Sequence, residues 1–123
     1  MSYDLYFWKQ NAKSSTSPEG TLLAIQSGDA PIYVDALPET EFVGAIKSAF
    51  PEIVENRTTN PEIPVQLICD PSDGGCFIVT WSKHVLTVEA HGVDGTHFNT
   101  LIDIADACGC RLYDPQTGLR YEG

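Results

Sequence analysis

The stretch that decides the fold runs from residue 76 to residue 91: Cys76-Phe-Ile-Val-Thr-Trp-Ser-Lys-His-Val-Leu-Thr-Val-Glu-Ala-His91. Its arms are rich in Val, Ile, Thr and aromatic residues, which suit a pleated, half-buried surface, and we predict a β-hairpin. A two-residue turn at 82–83 gives one buried face with the cross-strand pairs Trp81 with His84, Val79 with Leu86 and Phe77 with Val88. Because Ser-Lys lacks the Gly or Asn that accept positive φ, a longer loop is the alternative.

The segments around the hairpin predict the other elements of a single domain, residues 1–123. They are a strand at 3–8, a helix from Ser17-Pro18 with a strand through 21–25 as the alternative, a helix at 39–50, a loop at 52–64, an edge strand at 65–69, a helix from 94 to Gly109 and a strand at 110–114. This order predicts an α+β, ferredoxin-like two-layer sandwich. Its mainly antiparallel sheet carries helices on one face, with an extra edge strand and an extra short helix.

The charge of the chain restricts its partners. The formal net charge is −10, which argues against direct binding to the phosphate backbone of nucleic acids. Between residues 19 and 73 there are ten acidic and two basic residues, so this region is the more acidic one. Either it is ordinary solvated charge, or it attracts a basic partner.

The N-terminal sequence and the hydropathy predict where the protein resides. No basic segment followed by an apolar stretch opens the chain, and no apolar run approaches the ~20 residues of a membrane span. We expect a cytoplasmic protein that does not bind membranes.

Cysteine and histidine residues suggest chemistry only weakly. Cys69, Cys76, Cys108 and Cys110 lack the spacing of a structural zinc site, and we expect thiols, with a Cys69–Cys76 bridge only on oxidation. His91 and His97 flank a short turn and would meet in a cleft, but no nucleophile or metal motif accompanies them. We therefore predict no cofactor, no metal and no catalytic residue.

Several segments together carry a resemblance to known proteins. They are the opening Met1-Ser-Tyr-Asp-Leu-Tyr-Phe-Trp, Ala49-Phe-Pro, Val79-Thr-Trp-Ser and the closing Leu112-Tyr-Asp-Pro-Gln-Thr-Gly. They resemble a group of small bacterial cytoplasmic proteins, some of which are similar to immunity proteins of polymorphic-toxin and contact-dependent growth-inhibition systems. The resemblance implies a protein that binds and neutralises a toxin, and it transfers no catalytic residue.

These observations give one leading hypothesis and two alternatives. The first is an immunity protein, monomeric or a weak homodimer, that binds a basic toxin domain such as a nuclease. The predicted toxin-binding residues are Tyr33, Asp35, Glu39, Glu41, Glu52, Glu55, Asp70, Asp73, Tyr113, Asp114 and Gln116. The alternatives are a small metal-dependent enzyme that uses His91, His97 and a nearby Asp or Cys, and a structural module that self-associates through the 65–69 edge or the open sheet face.

Overall fold

The computed structural model describes residues 2–11, 17–57, 59, 65–69, 76–91, 95–114 and 119–120. Within these residues there are seven strands and three helices. In chain order they are β1 (Ser2–Trp8), α1 (Pro18–Gln26), α2 (Glu39–Ala49), β2 (Val54–Arg57), β3 (Val65–Cys69), β4 (Cys76–Trp81), β5 (Leu86–His91), α3 (Gly95–Ala107), β6 (Arg111–Asp114) and β7 (Leu119–Arg120).

The predicted ferredoxin-like sandwich is confirmed. The described strands form one antiparallel sheet in the order β2-β3-β4-β5-β1-β6-β7. Its central part, β4-β5-β1-β6, carries the βαββαβ unit, with α2 between β1 and β4 and α3 between β5 and β6. The first strand therefore lies beside the closing strand, as predicted.

The hairpin exists, but its predicted turn is wrong. Trp81 pairs with Leu86 and Val79 with Val88, a shift of two residues from the predicted pairs. The connection is the longer alternative, closed by a hydrogen bond of 2.9 Å from the Ser82 N–H to the Val85 carbonyl oxygen. Because side chains alternate with a period of two, a shift of two leaves the buried face unchanged. Phe77, Val79, Leu86 and Val88 are buried as expected.

The strand predicted at 65–69 is present, but its predicted position at the edge of the sheet is wrong. Val65–Cys69 is a strand, but β2 pairs along its outer side, with Val54 opposite Ile68 and Arg57 opposite Val65. The proposed loop at 52–64 hides β2, whose four residues Val-Glu-Asn-Arg are all exposed and therefore show no hydrophobic periodicity. The self-association hypothesis loses the β3 edge as its contact, because β2 already occupies it.

The larger core lies between the sheet and the layer formed by α2 and α3. Phe42 and Ile46 of α2 are fully buried, and the Phe42 ring meets Phe7 edge-on at 5.9 Å between ring centroids. Leu101 and Ala105 of α3 join the same cluster. Gly109, with φ of +78°, ends α3 in the predicted left-handed position.

A smaller core lies on the other face of the sheet, under α1. Ser17 caps α1, since its side-chain oxygen accepts the Gly20 N–H at 3.2 Å, and Pro18 takes the first helical position as predicted. Leu22 and Ile25 pack on Trp8, which alternates with Phe7 and so points to the opposite face. The extra short helix is therefore separate from the α2–α3 layer.

Candidate functional site

A groove runs between α2 and one side of the sheet, where β2, β3 and β4 each contribute side chains to its lining. The cavity has a volume of about 300 Å³. It is lined from α2 by Glu39, Thr40, Val43, Gly44 and Lys47, and from the sheet by Glu55, Arg57, Val65 and Trp81.

Two contacts fix the direction of α2 along this groove. Near the start of α2, the Leu37 N–H donates to the Lys83 carbonyl oxygen at 2.7 Å, in the connection that follows Trp81. Beyond its end, Phe50 meets Phe77 edge-on at 5.0 Å between ring centroids. The first turn of α2 therefore lies beside the Trp81 end of β4, which places Glu39 across the groove from Arg57.

Charges face each other across the groove in two positions, and only one pair is joined. At the far end Lys47 forms an ion pair with Glu55. Arg57 approaches the same Glu55 at only 4.0 Å and is 78% exposed. Within the described part of the chain, no ion pair joins Glu39 to Arg57 or to any other cation. The groove is thus bridged at one end and open between a carboxylate and a guanidinium at the other.

The floor of the groove is apolar, and the groove has room for a small ligand. Val65 and Trp81 of the sheet are half-buried, and Val43 of α2 is buried, at 8% exposure. Gly44 is exposed in the middle of α2, and a Cβ added there would meet no atom within 4 Å. The position therefore opens on unfilled space.

The predicted acidic surface is distributed along α2 rather than gathered at one point. Glu39, Glu41, Glu52 and Glu55 are all exposed. Glu39 faces the groove, whereas the Glu41 carboxylate acts on the thiol of Cys108 at the end of α3, so the two acids of the first turn point to different sides. Glu52 follows the opposite end of the helix.

Tyr33 and Asp35 are held in the segment that leads into α2. The Tyr33 hydroxyl lies 2.9 Å from the Thr21 hydroxyl, and the ring packs against the smaller core. The Asp35 carboxylate accepts the Asn11 side-chain amide at 2.9 Å. Both residues are half-buried, so each presents only part of its surface to a partner.

Two of the remaining predicted toxin-binding residues, Tyr113 and Asp114, are buried. Tyr113 is 3% and Asp114 5% exposed, so neither side chain presents a surface to a partner, contrary to their prediction as toxin-binding residues. Tyr113 alternates with Leu112, points to the smaller core and packs on Trp8 at 5.6 Å between ring centroids. Burial and the nearby Glu19 and Asp114 carboxylates raise its pKa. Asp70, Asp73 and Gln116 lie outside the described residues.

The histidines and cysteines form no recognisable centre where the structure describes them. No three His, Cys, Asp or Glu side chains in the described segments are grouped as metal ligands. His91 Nε2 lies 3.3 Å from Glu89 Oε1 on the exposed end of β5, and the His97 side chain is outside the described residues.

The bridge between Cys69 and Cys76 is disfavoured by the register of β3 and β4. Cys69 pairs with Phe77 on the buried face, and Cys76 is the neighbour of Phe77, so its side chain points to the opposite face. At the end of α3, burial and the Glu41 carboxylate raise the pKa of the Cys108 thiol, which Lys9 lowers in part. The thiolate, which is the reactive form, is therefore disfavoured there.

Sequence reasoning missed four residues that define the groove: Gly44, Lys47, Arg57 and Trp81. Lys47 and Arg57 are the two basic residues of the acidic region 19–73. The presence of two isolated basic residues among ten acidic ones was the sequence signal that could have singled them out. Gly44 in a predicted helix was a second signal, because glycine in a helix interior costs about 1 kcal/mol relative to alanine.

Comparisons with known proteins assign this chain to no family, so its fold and its groove are what characterise it. No protein-family model matches the sequence, and no curated protein is significantly similar to it. In the segments that the structure describes, no helix has the length and apolar character needed to cross a membrane. The chain is defined by its architecture: an α+β two-layer sandwich with a lateral groove.

Proposed function

We propose that this protein is an immunity protein, which binds a basic bacterial toxin domain and neutralises it in the cytoplasm. The supporting observation is the exposure of Glu39, Glu41 and Glu52 along α2 and beyond its end. In the same region of sequence, Lys47 and Arg57 are the available counter-charges, and both lie at Glu55 in the groove. Among the described residues no ion pair engages Glu39, Glu41 or Glu52, so their exposed carboxylates are available to a basic partner.

The physical role of this charge is to accelerate encounter. A surface of one sign attracts a partner of the other sign over a distance of about 8–10 Å at ordinary salt, and it mainly raises the association rate. Slow dissociation needs desolvated anchors as well. Tyr33, which is half-buried and lies close to Asp35 in the sequence, is an aromatic side chain that is accessible enough to act as such an anchor.

The test begins with the genes that neighbour this protein's own: any that encodes a toxin-like domain is expressed together with the protein. Rescue of growth and co-purification of the two proteins would support neutralisation. The triple variant Glu39→Lys, Glu41→Lys and Glu52→Lys is expected to slow association by roughly tenfold or more and to make affinity less dependent on salt.

A matched control separates a local surface from total charge. The triple variant Asp4→Lys, Glu89→Lys and Asp103→Lys changes net charge equally at exposed positions away from the outer side of α2. If both triple variants slow association to the same extent, the surface along α2 is not the binding site. If neither rescue nor co-purification occurs with the unaltered protein, the proposed function is refuted.

A further inference from the structure

We infer that the groove between α2 and β2–β4 binds a small zwitterion, a free α-amino acid with an apolar side chain. This site is additional to toxin binding and does not depend on it. Its basis is the arrangement of one unjoined carboxylate, one weakly engaged guanidinium and an apolar floor between them.

The charged residues on the two sides of the groove determine which charged groups the ligand must carry. On the helix side, the exposed Glu39 carboxylate is available to a hydrogen-bond donor or a cation of a ligand. Lys47 of α2 pairs with Glu55 of β2 across the groove, so the guanidinium of Arg57, 4.0 Å from Glu55, remains on the strand side as a weakly engaged positive charge. A simple anion would meet Glu39 and a simple cation would meet Arg57. A molecule with an ammonium and a carboxylate satisfies both sides.

The floor sets the apolar part of the ligand. Val65 and the half-buried Trp81 ring offer a surface for an aliphatic or aromatic side chain. A volume of about 300 Å³ is at the lower end of the range for small-molecule sites, which suits a ligand of amino-acid size.

Gly44 is the independent sign that this space is used. The residue has no positive φ, and nothing within 4 Å would clash with a Cβ, so the fold has no local need for glycine there. Glycine in a helix interior nevertheless costs about 1 kcal/mol. Gly44 is one of the residues that line the groove, so a large side chain at this position would compete with a ligand for that space.

The experiment titrates the purified protein with L-phenylalanine and two analogues that each lack one charge. 3-Phenylpropionate lacks the ammonium group, and phenethylamine lacks the carboxylate. Binding is followed by the NMR shift of the Trp81 indole N–H, with the fully buried Trp8 as an internal reference. We expect saturable binding of L-phenylalanine and at least about tenfold weaker binding of each analogue, the usual effect of losing a charged hydrogen bond.

Three variants locate the site. Gly44→Leu fills the groove and, because leucine favours helix, is expected to fold at least as stably while abolishing the Trp81 shift. Glu39→Gln and Arg57→Gln are each expected to weaken L-phenylalanine at least about tenfold. Glu52→Gln, an exposed acid outside the groove, is the control and should leave binding unchanged.

The inference is overturned by any of three results. One is the absence of a saturable Trp81 shift up to the solubility limit of L-phenylalanine. Another is equal affinity for the amino acid and either analogue. The last is undiminished binding by Gly44→Leu whose helical spectrum and melting temperature show that it is folded. Growth rescue by the same Gly44→Leu protein tests toxin neutralisation separately, so the two proposals can fail independently.

Discussion

Three glycines in this chain should respond to alanine in opposite directions. Gly44 lies inside α2 and has ordinary helical φ, and its Cβ would be unobstructed. Gly28 and Gly109 follow α1 and α3 with φ of +86° and +78°. A Cβ at Gly109 would also approach Cε of Lys9 to 3.3 Å. Alanine should therefore stabilise the protein at the first position and destabilise it at the other two.

The size of each effect follows from the backbone. Gly44→Ala removes the entropic cost of glycine in a helix, worth roughly 0.5–1 kcal/mol. At about 2.1 cal/mol/K per residue, the unfolding entropy of a 123-residue chain is roughly 0.26 kcal/mol/K, so a gain of about 1 kcal/mol raises Tm by about 4 °C. Left-handed φ costs an L-residue roughly 1–2 kcal/mol. Gly28→Ala should therefore lower Tm by about 4–8 °C, and Gly109→Ala by at least as much.

Urea unfolding and thermal melting monitored by circular dichroism measure these shifts. Equal m-values for the four proteins would show that the change is in stability and not in the extent of unfolding. A fall in Tm for Gly44→Ala would refute the reasoning, because it would mean that α2 is not a regular, unobstructed helix at this point. Gly28→Ala without any loss would refute the left-handed assignment at the end of α1.

Three further predictions concern the cores, a helix cap and alkaline pH. Phe42→Ala should cost about 3–5 kcal/mol of unfolding free energy, whereas Leu23→Ala, at a side chain 57% exposed, should cost less than about 1 kcal/mol; urea titration distinguishes them. Ser17→Ala should lose about 1 kcal/mol in the same assay, since the cap to α1 disappears. Burial raises the pKa of Tyr6 and of Tyr113 above the ordinary 10.0, so their stabilising contribution is complete below pH 10 and falls as pH rises through the raised values. Tyrosinate absorbance should show these two rings ionising late; normal titration of both would contradict their burial.

Much of the fold was predictable, because its central elements bury one regular face. Phe42 and Ile46 recur at helical spacing, and Val79 and Val88 alternate along their strands, so each pattern has the period of its own structure. The turn after Trp81 was not predictable in the same way. A shift of two residues leaves every side chain on its predicted face, so hydrophobic pattern alone does not separate the two registers.

The candidate site was less predictable, because its position depends on β2, a strand whose sequence has no hydrophobic periodicity. Acidic residues such as Glu39 and Glu55 were identified from charge alone, and the structure places both in the groove. Tyr113 and Asp114 were predicted to be accessible because of their polar groups, but both are buried. The alternation of side chains along β6 turns Tyr113 towards Trp8, on the face of the sheet that α1 covers. The sequence does not show on which face α1 packs, so it does not predict the burial of Tyr113.

The edge strand β2 explains both the missed strand and the groove. A strand at the margin of a sheet, beyond the cover of the helices, needs no apolar face, and Val54–Arg57 is exposed at every position. Glu55 and Arg57 of β2 line the groove opposite α2, and among the described residues Lys47 of α2 pairs with Glu55 across it. The strand that pattern analysis missed therefore supplies two of the charged side chains of the candidate site.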